Sequence, residues 1–325
     1  MSRIDLFPSS RLIAPRPILR GPAAALFFSL MLLLISPQLR VGAQDLEIGL
    51  MPAVDSIPLL VAQDQGYFEE EGIDVKLRMF RNQLYRETAL QTNDIDGSVS
   101  DLINAVYNRR NRTGVQVASI TDGHFALVTS PDSDLTTIDE WNRRDSVEVG
   151  LLENSIVYYV AERMLQAAGG STEVIELVTT MQVPTRMELV IAGQIEGALL
   201  PEPITRIALA RGCNMLVDTS VLDQTPGGLL FTKEAREEKP EEIRALYRAY
   251  DRAVEAINAN PDSFRRAIVR LGEFPRAVEE TMVIPTYQPA RRPTPRELRD
   301  VTRWMVPKKL ISRFPEYGDV GARGL

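Results

Sequence analysis

The sequence is short of the side chains that carry covalent and metal chemistry. Its 325 residues include one cysteine, Cys213, and one histidine, His124. A lone cysteine excludes an intramolecular disulfide. Zinc ligation and histidine-based nucleophilic catalysis also lack their usual parts. Cys213 follows Ala210-Arg211-Gly212, a helix-to-strand turn, and reads as a small buried apolar residue. Basic charge is in deficit too, with 37 Lys and Arg against 44 Asp and Glu. That balance argues against nucleic acid as a partner, because its phosphates are met by Lys and Arg. Nothing in the composition calls for a cofactor. With 44% hydrophobic residues, the chain is long enough for two domains or one bilobal unit.

The N-terminus has the opposite charge balance. Residues 1–43 hold Arg3, Arg11, Arg16, Arg20 and Arg40 against Asp5, a balance of +4 that leaves −11 for residues 44–325. An apolar run from Ala23 to Ile35 is followed by Val41-Gly42-Ala43. A basic region, a short apolar core and small residues before Gln44 form the pattern of a cleavable secretory signal. The core falls short of the ~20 residues a spanning helix needs. A membrane-anchored protein is the alternative if the segment stays uncleaved. No cysteine lies near the expected cut, so a lipid anchor is not expected.

From Leu46 onwards, short apolar runs alternate with amphipathic segments, the signature of α/β structure. Strands are predicted at Leu46 to Met51, Ile73 to Leu77, Gly97 to Val99, Val115 to Ile120 and Phe125 to Val128. Helices are predicted over Ile57 to Gln65 and 85–92, with Gly66 and Gly72 as left-handed stops. A second βα series starts near Ser146. Strands are predicted at Val147 to Leu152, Val174 to Val178, Gly197 to Leu200 and Met215 to Val217. Helices are predicted at Ser155 to Ala168, Pro184 to Ala192 and Ile204 to Ala210. The two series are only loosely alike, and no fixed-period repeat is evident.

After Gly227-Gly228-Leu229-Leu230-Phe231 the chain turns helical. Ile243, Leu246, Tyr247, Tyr250, Val254 and Ile257 recur at helical spacing on one face. Asn260-Pro261 reads as an N-cap with a first-turn proline. Thr294-Pro295-Arg296-Glu297 reads as a capping box ahead of Leu298, Val301 and Trp304.

The opening of this pattern resembles a known family. The segment Gln65-Gly66-Tyr67-Phe68-Glu69-Glu70-Glu71-Gly72-Ile73-Asp74-Val75 follows a strand, a polar turn and a helix. This resembles the type 2 periplasmic substrate-binding proteins of ABC importers, in the branch of nitrate, sulfonate, taurine and thiamine-pyrimidine-precursor binders. Asp96-Gly97-Ser98-Val99-Ser100-Asp101 and Ile195-Glu196-Gly197-Ala198-Leu199-Leu200-Pro201-Glu202-Pro203 support the same likeness. The resemblance spans about residues 45–315. It implies a bilobal α/β fold, two Rossmann-like lobes joined by crossover strands. Residues 44–130 plus 229–325 would form a discontinuous first lobe, and 131–228 the second. It further implies a monomeric, non-enzymatic, periplasmic protein that holds a small molecule in the cleft and delivers it to a permease.

Ligands of open α/β sheets sit beyond the carboxyl ends of the strands. That rule selects five loops: Asp55 and Ser56 after the first strand, Ser100 and Asp101, Thr121 and Asp122, Glu153 to Ser155 with Tyr158 one turn on, and Glu202. Each has a plainer reading. Ser56, Asp101 and Ser155 also read as helix caps, Asp122 as part of a turn, and Glu202 as a solvated residue at a helix start. Taken together, these loops carry five carboxylates and no Lys or Arg. That points to an amino-bearing, cationic or heterocyclic ligand, with Tyr158 as an aromatic wall. Two rivals share the fold class: a sensory or accessory binding protein, and a biosynthetic enzyme. The latter resembles chemistry that uses a Cys-rich motif absent from this sequence.

Overall fold

The computed structural model describes residues 46–180 and 182–321. The expected signal segment therefore lies outside the described residues. Among them, no helix is long and apolar enough to cross a membrane. The described residues belong to one compact unit.

Among the described residues, ten strands make two five-stranded sheets. The first has the order β2-β1-β3-β10-β4 and the second β7-β6-β8-β5-β9. In the first sheet, β1 (Leu46–Leu50) runs parallel to β2 (Val75–Met79) and β3 (Gly97–Asp101), while β10 (Gly227–Phe231) lies antiparallel between β3 and β4 (Gln116–Thr121). The second repeats this plan. β6 (Val147–Leu151) is parallel to β7 (Ile175–Thr179) and β8 (Gly197–Pro201), and β5 (Phe125–Thr129) lies antiparallel between β8 and β9 (Asn214–Asp218). Each sheet thus takes its one reversed strand from the chain segment that has just crossed over.

This pairing moves the lobe boundaries. The expected limit at 130 would place β5 in the first lobe, but its hydrogen bonds are to β8 and β9. The expected limit at 228 cuts through β10, which pairs along its whole length in the first sheet. Crossovers lie at 122–124 and 219–226 instead.

Helices cover the sheets and bury both faces of the central strands, which accordingly read as continuous apolar runs such as Leu229, Leu230 and Phe231. The helices that position the cleft are α1 (Ile57–Asp64), α2 (Gln83–Gln91), α3 (Leu102–Asn111), α4 (Ile156–Ala167), α5 (Val183–Ile191), α6 (Ile204–Ala210), α7 (Pro240–Ala259) and α8 (Pro295–Met305). Residues 57–62 of α1 are buried all round because α7 lies over its outer side. Gly66 and Gly72 adopt the left-handed conformation read from the sequence.

Thr294 and Glu297 form the expected reciprocal capping box at the start of α8. Asn260 differs from its expected role, since its side chain caps nothing. Its carbonyl accepts both the N–H and the hydroxyl of Ser263, tightening Pro261–Phe264 into a 3-10 turn.

The two sheets share more than an echo. Asp96 accepts the backbone N–H of Glu47 at 2.8 Å, and Glu196, one hundred residues on, accepts that of Glu148 at 3.1 Å. α2 and α5 stand at the same offset and bury Arg86 and Arg186.

Candidate cleft site

The predicted site residues gather at the carboxyl edges of β1, β3, β6 and β8 and at the first crossover, but many are occupied by partners within the protein. Ser56 is fully buried and is not a side-chain cap; its hydroxyl donates to the Met51 carbonyl at 3.0 Å. Ser100 sits inside a buried network. It donates to Glu87 Oε1 at 2.7 Å and accepts from Arg86 and Asn104. Asp101 is the cap of α3, accepting Asn104 N at 2.8 Å and the Asn104 side chain at 2.8 Å. Burial pushes its carboxyl up to about 7, against the pull of the Asn104 N–H.

Asp122 accepts Gln288 N at 2.7 Å and Gln288 Nε2 at 3.1 Å, which ties the first crossover to the C-terminal segment. Burial raises its pKa in spite of these bonds. Thr121 is buried, and its hydroxyl has no partner. Asp55 Oδ1 is likewise buried and unbonded, and burial lifts this carboxyl to about 6 although Arg86 opposes the shift.

In the second lobe, Glu153 is exposed and Asn154 takes a left-handed backbone conformation, φ 57°. Ser155 caps α4 through Val157 N at 3.2 Å. Tyr158 is half-buried, edge-on to Trp304, with Lys308 Nζ 4.3 Å from its ring centre. Glu202 is wholly buried, unlike the solvated residue read from its position. One of its oxygens accepts Arg206 Nε at 2.8 Å, and the other, Oε2, has no partner. Burial raises its pKa; Arg206 and, more weakly, the Val283 N–H oppose the rise.

The expectation of acid loops free of cations therefore changes. The loops contain no Lys or Arg, but neighbouring helices bring Arg86 beside Asp55 and Asp101, and Arg206 beside Glu202. Among the predicted site residues, two acid oxygens stay buried and unbonded, Asp55 Oδ1 on the first lobe and Glu202 Oε2 on the second. Sequence reasoning missed Arg86, Arg186, Gln288 and Trp304. The shared spacing from each arginine to Ile95-Asp96-Gly97 and Ile195-Glu196-Gly197 was the available signal for the first two.

A cavity of about 450 Å³ lies at the second crossover, lined by Leu102, Ile120, Tyr159, Gln224, Thr225 and Glu297 among others. A larger one, about 880 Å³, lies at the far end of α3 around Arg109, Arg112 and Arg313, and none of the predicted site residues lines it. Among the described residues, no group of three or more His, Cys, Asp and Glu is placed to hold a metal ion.

The sequence matches the family described as NMT1/THI5 like over residues 53–264. The chain belongs to the NMT1/THI5-like family. Solved structures agree on the architecture. The ligand-binding component of an ABC-type import system from Staphylococcus aureus, with zinc bound, superposes with a TM-score of 0.72 at 14% identity, over 86% of this chain and 97% of that one. The periplasmic aliphatic sulphonate binding protein SsuA from Escherichia coli gives 0.69 at 13% identity, over 87% and 95%. The periplasmic nitrate-binding protein NrtA from Synechocystis gives 0.61 at 13% identity, over 72% and 68%. No curated protein sequence matches. The fold of this NMT1/THI5-like chain is the bilobal type 2 periplasmic-binding-protein fold.

Proposed function

We propose that this protein is the exported solute-binding component of an ABC importer. On this reading residues 1–43 direct export to the periplasm, and residues 44–325 capture a small organic ligand between the lobes and present it to a permease. Capture involves no chemistry: the ligand contacts both lobes, favours their closed arrangement, and so shifts an open–closed equilibrium. The crossovers at 122–124 and 219–226 are the natural hinges.

For the ligand we retain an amino-bearing, cationic or heterocyclic compound. One observation supports this choice: Asp55 Oδ1 on the first lobe and Glu202 Oε2 on the second are buried acceptors without donors. Buried polar atoms are nearly always bonded, and an ammonium or amidine-like N–H would supply what both lack.

A thermal-shift screen of the protein tests the reading with amines, aminopyrimidines, amino acids, sulfonates and nitrate. Ligand at 100 times its Kd should add about 2.7 kcal/mol of stability. The expected hit is an amine or protonatable heterocycle whose effect is lost in Glu202→Gln. A hit confined to amino-free anions would overturn the ligand class.

A further inference from the structure

Among the described residues, Arg186 is the least explained charge. It sits in the first turn of α5 with 1% of its surface exposed. Its Nε and Nη1 are buried without a hydrogen-bond partner. Burial alone pushes its pKa down to about 10, with no acid acting on it, so it remains charged at neutral pH. An unpaired buried charge is among the most unfavourable things a fold can contain.

The route of the side chain shows where the charge points. β7 and β6 are parallel, so α5 starts at their carboxyl edge, the cleft edge of the second sheet. Side chains of a helix lean towards its N-terminus, here towards the cleft. The Arg186 stem crosses β6 at Gly150, where an added Cβ would lie 2.9 Å from its Cγ and 3.3 Å from its Cδ. Only a glycine at this position, next to the last residue of the strand, leaves room for that path.

The first lobe supplies an internal comparison. Arg86 leaves the corresponding turn of α2 and crosses β1 at Gly49, with its Cγ 3.3 Å from the position of a Cβ there. Its guanidinium is satisfied, bonding Glu87 Oε1 at 2.7 Å and Ser100 Oγ at 3.2 Å. One hundred residues on, those two partners are replaced by Met187 and Leu200, both packed in an apolar cluster. The second lobe carries the cation without the counter-charge.

We infer that Arg186 is an anion-binding group of the second lobe, which receives a carboxylate, sulfonate or phosphonate carried by the ligand. This rests on the interlobe cleft being the binding site, and it makes the ligand zwitterionic: its cationic end meets Asp55 and Glu202, and its anionic end meets Arg186. The planar guanidinium suits such oxyanions because it donates two parallel N–H bonds.

The test is a titration of the whole protein with acetate, methanesulfonate and methylphosphonate against chloride at matched ionic strength, followed by melting temperature and calorimetry. At least one of the three should raise the melting temperature of the parent beyond chloride, and the one that does identifies the acid group. Arg186→Met should weaken that anion at least tenfold, yet melt no lower than the parent in its absence. Arg186→Lys, which keeps the charge without the fork, should fall between the two. Equal anion affinity in the parent and in either variant overturns the proposal, as does the lack of any effect beyond chloride. If an amine still binds and depends on Glu202 in that case, only the anion site fails and the cleft reading stands.

Discussion

The indole N–H of Trp304 donates to the Glu162 carboxylate, joining α8 of the first lobe to α4 of the second. Lys308 reaches the other oxygen of Glu162 at 3.0 Å and lies over the Tyr158 ring, while Tyr158 and Tyr159 both meet Trp304 edge-on at 6.0 and 5.5 Å. One carboxylate with two donors from the opposite side thus links the two lobes.

Loosening this contact should favour the open arrangement without unfolding either lobe. Trp304→Phe keeps the ring and removes one charge-assisted bond, worth about 1 kcal/mol for a partly exposed group. The expected result is a ligand Kd raised about fivefold and a larger radius of gyration for the unliganded protein by small-angle scattering. Unchanged affinity and unchanged scattering would show that the contact does not govern closure.

Asp101 gives a stability signature in pH. Its carboxyl titrates at about 7 in the fold, above the ordinary 3.8. The native state therefore binds this proton more tightly than the unfolded chain does. The group's favourable contribution is complete below pH 4 and is lost as pH rises through 7. Asp101→Asn keeps an N-cap residue on α3. It should be more stable than the parent above pH 7, by at most on the order of 4 kcal/mol, and the gap should close towards pH 4. Denaturant melts across that range check it; a difference independent of pH would contradict the assignment.

Gly97 lies where β10 presses on β3. A Cβ there would sit 2.7 Å from the Phe231 ring and 2.9 Å from the Leu230 carbonyl oxygen, which cannot step aside without breaking the ladder. Gly97→Ala should cost about 2 kcal/mol, a fall of several degrees in melting temperature. A variant as stable as the parent would mean that β10 can shift.

What the sequence disclosed follows from the range of each interaction. Strand and helix periodicity is local, so the order of elements, the Thr294 capping box and the caps at Asp101 and Ser155 were all readable. The membership of β5 was not, because pairing with β8 and β9 is settled by contacts some 70 to 90 residues away. Site chemistry was obscured for the same reason. Asp122 looks like a free turn residue until Gln288, 166 positions later, occupies it. Arg186 looks like an ordinary helical arginine until the fold buries it beside Gly150. Tyr158 was expected against ligand, and the structure places Trp304 and Lys308 around it.

The central claim is that one ligand is held by both lobes at once. Calorimetric titration of an amine found in the screen, against the parent, Asp55→Asn, Glu202→Gln and the double variant, tests it most directly. Each single change should weaken binding about tenfold or more, since each removes a buried acceptor on a different lobe. The double variant should lose less than the sum of the two losses, because a ligand freed from one lobe no longer holds the other closed. Undiminished affinity in either single variant would contradict a ligand bridging the cleft through these two carboxylates.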